Sequence, residues 1–306
     1  MNIRFDNRVA IITGGGRGVG KAHALLLGSR GAKVVVNDLG GSTDGKGDGS
    51  EAPAQKVVDE IKAAGGEAVV SFNSVADPHE AEAIVQTALD HFGTVDILIN
   101  CAGILRDKTF FKMSLEDFEF VLKIHLLGSI YVTKAAFPVM REKDYGRIIM
   151  TASAAGLYGN FGQTNYSTAK LGLVGFMNTL KEEGQRYNIC INTIVPWAYS
   201  RLGLGIFPEE VLKYLRPELV AAAAAFLSSE QCTASGDIII AGLGYFAKAQ
   251  MVESQGVRFD PFQDVTPEML AERYQDITNM EKARPFTNSS EAFLAALGPL
   301  NPELED

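Results

Sequence analysis

A tyrosine and a lysine stand four apart in the segment NYSTAK, which runs from Asn165 to Lys170. At about 3.6 residues per turn, Tyr166 and Lys170 fall on one face of a helix. Such a pair has a plain surface reading, a half-exposed ring beside a solvated ammonium. It also has a chemical one. A free phenol titrates near pH 10, and a neighbouring ammonium favours the phenolate, which would make the oxygen a working acid–base at neutral pH. Ser153, thirteen residues before Tyr166, closes the strand-like run GRIIMTAS. Its hydroxyl would hydrogen-bond a substrate oxygen and hold it beside the phenol. The three side chains point to proton transfer at a carbon-bound oxygen.

Such chemistry needs a partner that takes or gives hydride, and a second set of residues supplies a place for one. TGGGRGVG (Thr13–Gly20) joins a strand-like run to a helical one. Gly14, Gly18 and Gly20 have the spacing of a tight turn that lets the backbone approach a pyrophosphate at a helix N-terminus. Asp38 closes the next strand-like run, twenty residues after Gly18. A carboxylate there accepts both hydroxyls of an adenine ribose and repels a 2′-phosphate, which favours NAD. Arg17 pulls the other way, since a guanidinium in the turn would welcome that phosphate. Burying that phosphate together with Asp38, two like charges, costs more than Arg17 recovers, so NAD remains the expectation. NCAG (Asn100–Gly103) ends a further strand at the same edge, where small residues let a dinucleotide lie close.

The elements that must position these residues are legible as an alternation. Strand-like runs cover 8–13, 33–38, 67–72, 95–100, 146–153, 189–196 and 236–242. Helical patterns cover 18–30, 53–64, 78–92, 114–143, 164–187 and 216–229. Near-continuous apolar strands alternating with helices predict an α/β fold, a Rossmann-type doubly wound parallel sheet of about seven strands, with ligands beyond the strand carboxyl ends. Residues 39–53 are rich in Gly and polar groups and are expected to be a flexible surface excursion. Residues 1–244 are expected to form the dinucleotide-binding and catalytic domain. Residues 245–306, with helical patterns at 267–279 and 288–297, form an extension that packs on that domain or on a partner subunit.

Composition narrows the class. The 306 residues are 46% hydrophobic and 21% charged with a net charge of -9, an ordinary globular balance that argues against a nucleic-acid footprint. No apolar run approaches the ~18 residues of a membrane span, so no membrane partner is expected. Cys101, Cys190 and Cys232 are scattered without a CxxC spacing, which argues against a metal site and for a reducing, cytoplasmic setting. The N-terminus has no signal-peptide pattern, and ELED is not a peroxisomal address.

TGGGRGVG, NCAG, Ser153, the YxxxK of Tyr166 and Lys170, and Pro196 together resemble the short-chain dehydrogenase/reductase family, in its motif order, across residues 8 to 242. The resemblance implies that Tyr166 is the acid–base, that Ser153 binds the substrate oxygen, and that Lys170 serves both the phenol and the nicotinamide ribose. It extends the expected cofactor contacts to Gly16, Val19, Leu39, Ser74, Val75, Asn100, Ala102, Gly103, Pro196 and Ala198. His125, in KIHLLGS, matches the position of a family asparagine that supports a proton relay to the lysine. VVVNDLGG, AGILRDKTF, GLYGNFGQTNYSTAKLGL and the tail near TPEML are similar to one subgroup, the (3R)-hydroxyacyl-CoA dehydrogenase units of peroxisomal multifunctional enzymes type 2. This implies an acyl-CoA thioester as substrate and a homodimer or homotetramer. Departures are Cys101 in place of a second Asn, Asn73 in place of an Asp, and Trp197 after Pro196. A free hydroxysteroid dehydrogenase or an oxoacyl carrier-protein reductase is the alternative within the fold, and a dinucleotide sensor without turnover is the alternative outside catalysis. Arg106, Lys108 and Arg201 are candidate contacts for CoA phosphates. Trp197, Leu202, Leu204, Ile206 and Phe207 are a candidate apolar lid.

Overall fold

The computed structural model describes residues 2–45, 49–199 and 209–297. The chain divides into two compact units, with the boundary after Lys248.

The first unit is built on an eight-stranded sheet. In chain order its strands are β1 (Val9–Thr13), β2 (Lys33–Asn37), β3 (Glu67–Ser71), β4 (Ile97–Asn100), β5 (Gly146–Thr151), β6 (Ile189–Trp197), β7 (Ile238–Gly242) and β8 (Tyr245–Ala249). They lie side by side as β3-β2-β1-β4-β5-β6-β7-β8. VAIIT, ILIN and GRIIMT are buried at every position, which only a sheet covered on both faces achieves. The first seven strands pair in parallel, and Thr13 sits level with both Asn37 and Asn100, so the carboxyl ends of β1, β2 and β4 share one edge.

The eighth strand lies beyond the sequence expectation. Leu243 (φ 58°) and Gly244 (φ 76°) both take left-handed backbone between β7 and β8, as a two-residue hairpin turn requires. Leucine at the first of these positions hides the turn from a reading of composition.

One face of the sheet is covered by α1 (Gly18–Ser29), α2 (Ala52–Ala63) and α9 (Pro217–Leu227). The other carries α3 (Pro78–Phe92), α5 (Gly128–Glu142) and α7 (Thr164–Gly184). The expected helix over 114–143 is present but not uniform. α4 (Leu115–Leu122) passes through a π-helical turn, Lys123–Leu127, before continuing as α5. Taken whole, Leu115–Glu142 is long and apolar enough to cross a membrane by length and composition, although no uninterrupted run announces it. Here it packs on α3, α7 and β5. Short helices α6 (Ala154–Tyr158) and α8 (Glu209–Leu212) complete the unit. The second unit contains α10 (Pro267–Glu272), α11 (Tyr274–Ile277) and α12 (Ser289–Leu297), with a bridge between Glu253 and Arg284.

α1 buries His23 with neither ring nitrogen hydrogen-bonded. Burial pulls its pKa from 6.5 down to about 4. The unfolded chain therefore binds this proton well before the folded one does. Stability is complete above pH 6.5 and falls as the pH drops through this window, by about 3 kcal/mol in all for one such group. His125, buried and shifted in the same direction, adds its own share. Replacing His23 by leucine should flatten part of the acid slope in urea-unfolding free energies measured between pH 7 and pH 4.5. An unchanged slope would show that His23 does not contribute.

Candidate active site

The chain winds outward from β1 to β3 and then returns to start β4 on the other side of β1. A crevice opens where the winding reverses. It holds a cleft of about 820 Å³.

On the β1 side the glycine turn forms its floor. Gly14 has φ +65°, and a Cβ there would stand 2.8 Å from Cα of Ala102, so the turn and the NCAG segment abut. Thr13 ties them together, its Oγ1 accepting from the backbone N–H of Cys101 (3.0 Å) and Ala102 (3.2 Å). α1 begins with no side-chain cap and no acidic residue in its first turn. Its first N–H groups and the positive end of its dipole are thus left for an anion. Asp38 follows β2, with Oδ2 accepting from Gly16 N–H (2.9 Å) and Oδ1 from Gly40 N–H (2.6 Å). Each carboxylate oxygen has a second lone pair, which leaves capacity for two ribose hydroxyls. Arg17 Nη1 reaches toward the carbonyls of Gly40 (3.5 Å) and Gly41 (3.4 Å). These residues fit a dinucleotide: a close backbone approach, an uncapped helix N-terminus and a carboxylate in the same cleft lining.

The far wall comes from β5 and α7. The strand ends at Thr151, two residues short of expectation, and Ser153 becomes the cap of α6, its Oγ accepting from Ala155 N–H at 3.2 Å. α7 projects Tyr166 and Lys170 from its first two turns. Lys170 Nζ donates to the Thr151 carbonyl at 2.5 Å and lies 5.5 Å from the centroid of the Tyr166 ring. Burial pushes the Tyr166 phenol up to about 12, with a hydrogen bond from Ser153 opposing it. Burial also pulls Lys170 down to about 8. The sequence led us to expect that the ammonium, together with the positive nicotinamide ring of the oxidised cofactor, would lower the phenol. In the chain by itself burial sets the direction, and the Lys170 ammonium directs its hydrogen bond to the Thr151 backbone carbonyl.

The π turn delivers His125. Its Nε2 lies 3.0 Å from Ile104 N and 2.7 Å from Ile104 O, and its ring meets Tyr166 edge-on with centroids 5.1 Å apart. Nδ1 is buried with no partner among the described residues. A Cβ on residue 103 would stand 2.2 Å from Cε1 of this ring, so Gly103 is what gives His125 its place. Burial and the nearby Lys170 charge hold the imidazole neutral.

Of the catalytic and cofactor-contact residues put forward from the sequence, all but Gly16 and Asn100 line this cleft. Gly16 stands behind it on Asp38, and the Asn100 amide turns into the core to donate to Thr133 Oγ1 at 3.1 Å. The walls also include Phe120 and Ile124, four apart on the helix face that leads to His125, and Asn160 and Gln163 ahead of Tyr166. The helical spacing was a usable signal for the first pair; the run GNFGQTNY carried the second. Two further expectations change. Arg106 and Lys108 are not open cations: both pair with Asp117, at 3.1 and 2.9 Å. The loop after β2 is not a loose excursion over its described residues. Leu105 N–H donates to Thr43 O (2.9 Å), Arg106 Nε donates to Asp44 O (2.8 Å), and Gly45 packs on Phe120. Trp197 lines the cleft, whereas Arg201, Leu202, Leu204, Ile206 and Phe207 lie outside the described residues.

Comparison with known proteins agrees with this geometry. The chain is 46% identical over 306 residues to peroxisomal multifunctional enzyme A of Dictyostelium discoideum, covering 100% of this chain and 68% of the relative. The solved structure of full-length peroxisomal multifunctional enzyme type 2 from Drosophila melanogaster superposes with a TM-score of 0.81 at 40% identity, over 99% of this chain and 50% of that one. This chain thus spans about two thirds of the first relative and half of the second. A 7α-hydroxysteroid dehydrogenase complexed with NADH and 7-oxo glycochenodeoxycholic acid matches with a TM-score of 0.72 at 28% identity, over 79% of this chain and 96% of that one. Residues 8–200 match the family model described as short chain dehydrogenase, and the chain belongs to that family of NAD(P)-dependent oxidoreductases.

Proposed function

We propose that the protein oxidises a (3R)-hydroxyacyl-CoA to the 3-oxoacyl-CoA with NAD. The observation that carries this is the placement of Ser153, Tyr166 and Lys170 in one cleft with the glycine turn and Asp38. Similarity to the multifunctional enzymes through residues 1–306, tail included, supports the thioester substrate.

Gly14, Gly18, Asp38 and Lys170 would hold the dinucleotide. When bound, its oxidised nicotinamide accepts hydride and places a positive charge in the cleft. The chain's own residues handle the proton. Ser153 hydrogen-bonds the substrate hydroxyl and sets it in reach of Tyr166 Oη. Burial holds the phenol protonated; positive charge gathering near it makes it give up that proton, and the resulting phenolate takes the alcohol proton as the carbonyl forms. Lys170 lends part of that charge. His125, neutral and in contact with the Tyr166 ring, presents the unpaired Nδ1 as a station for the proton on its way out. Asp38 favours NAD over NADP by repelling a 2′-phosphate. Phe120, Ile124 and Trp197 offer apolar surface for the acyl part, and the same surface would suit a free hydroxysteroid.

One panel decides between the readings. Purified protein should reduce NAD in preference to NADP with (3R)-hydroxyacyl-CoA thioesters, and should discriminate against the 3S forms and free hydroxysteroids. Stereochemistry follows because hydride and proton leave toward fixed positions. Preference for 3S thioesters, for NADP, or for free steroids would overturn the assignment.

A further inference from the structure

Gln163 is 5% exposed, caps the amino end of α7 three residues before Tyr166, and lines the same cleft. Its amide is gripped at both ends. Nε2 donates to Asp107 Oδ2 at 2.6 Å, and Oε1 accepts from Asn160 Nδ2 at 2.9 Å. An ionised carboxylate can only accept, so Asp107 dictates which end of the Gln163 amide faces it, and that in turn orients Asn160. The surrounding backbone is fixed too: Lys108 N–H donates to Gly162 O (2.9 Å) and Asn165 Nδ2 to Arg106 O (3.1 Å).

Anchoring the start of α7 does not require amides on the cleft wall, since the Asn165 and Gly162 contacts already do that work. Asn160 and Gln163 nevertheless both face the cleft. The bonds described use one donor and one acceptor of Gln163, and a primary amide has two of each, so the pair can still exchange hydrogen bonds with a ligand. They lie beside Ser153 and Tyr166, on a wall more polar than that formed by Phe120 and Ile124. A thioester substrate has the matching division: an apolar acyl chain on one side of the reacting carbon, and an amide-bearing pantetheine arm on the other. Arg106 and Lys108, two of the three cations that the sequence offered for the CoA phosphates, are already engaged with Asp117.

We propose that Asn160 and Gln163, oriented by Asp107, form a subsite for an amide of the pantetheine arm of the substrate. The inference rests on the thioester reading above and adds how a thioester would be told from a free alcohol. Asp107 acts here as a positioning residue.

The test compares two substrates carrying the same 3-hydroxyacyl group, one on CoA and one on a short alkyl thiol without amides. In Gln163→Met, which keeps the side-chain volume, the ratio of kcat/KM for the CoA thioester over the alkyl thioester should fall about tenfold relative to wild type, the worth of a good neutral hydrogen bond. Asp107→Asn should lower the same ratio by a smaller factor, because an amide at 107 lets Gln163 turn over. Melting temperature and NADH fluorescence binding report folding, and Asp107→Asn carries the test if Gln163→Met does not fold. A merely structural clasp would lower both rates together and leave the ratio unmoved, which would overturn the subsite but not the thioester reading. Absence of turnover of any thioester by the wild type would overturn both.

Discussion

Tyr166→Phe should lower kcat by roughly 10²–10⁴, while affinity for NADH changes by less than about tenfold, the scale of one neutral hydrogen bond. The substitution removes a single oxygen. The ring keeps its edge-on contact with His125 at 5.1 Å, and Lys170 keeps its bond to the Thr151 carbonyl, so the wall of the cleft survives. What is lost is the one group placed to carry the alcohol proton. Steady-state NADH formation with the best substrate, set beside NADH binding by fluorescence, separates the two effects. A variant that kept most of its activity would assign the proton to another group and leave Tyr166 as packing.

Much of this site was legible in the sequence because its parts are local. Gly14, Gly18 and Gly20 belong to one turn, and Tyr166 and Lys170 to adjacent turns of one helix. Each strand carries its residues to the same edge once the sheet is parallel. What escaped depends on contacts between segments far apart in the chain. Asp117 is an unremarkable acidic residue in its helix until the fold sets it against Arg106 and Lys108. The loop after β2 has the composition of a flexible linker, yet hydrogen bonds to Leu105 and Arg106, some sixty residues away, give its described part a fixed course. His125 was recognised by position, but the π turn that carries it leaves no mark in periodicity, since one turn with a wider repeat barely disturbs the apolar pattern. The eighth strand was hidden behind Leu243, a residue that rarely adopts left-handed backbone. The direction in which the chain by itself shifts Tyr166 was hidden for a related reason. Spacing gives the distance between charges, whereas burial, which here decides the direction, is a property of the whole fold.

Burial also makes Lys170 expensive, and that yields an opposing pair of effects. The residue is 4% exposed, and its pKa falls from 10.5 to about 8 on folding. The unfolded chain keeps this proton up to pH 10.5 and the folded chain only up to about 8, so stability rises with pH across that interval. Below it the fold bears a penalty of about 3 kcal/mol for enclosing the charge. Lys170→Met keeps the stem and removes the charge. It also strands the Thr151 carbonyl, at a cost of about 1 kcal/mol or more. The charge penalty is the larger of the two. Urea unfolding of the cofactor-free protein at pH 7 should therefore find Lys170→Met more stable than wild type by about 1–2 kcal/mol. The advantage should shrink between pH 8 and pH 10, below the range where the raised Tyr166 phenol adds its own slope. The same variant should lose activity by roughly 10²-fold or more, because the phenol would lose one of the two positive charges that favour its ionised form, and should bind NADH more weakly. A stability that drops at pH 7, or a difference independent of pH, would show that Lys170 is not held in the cleft against its preference for water.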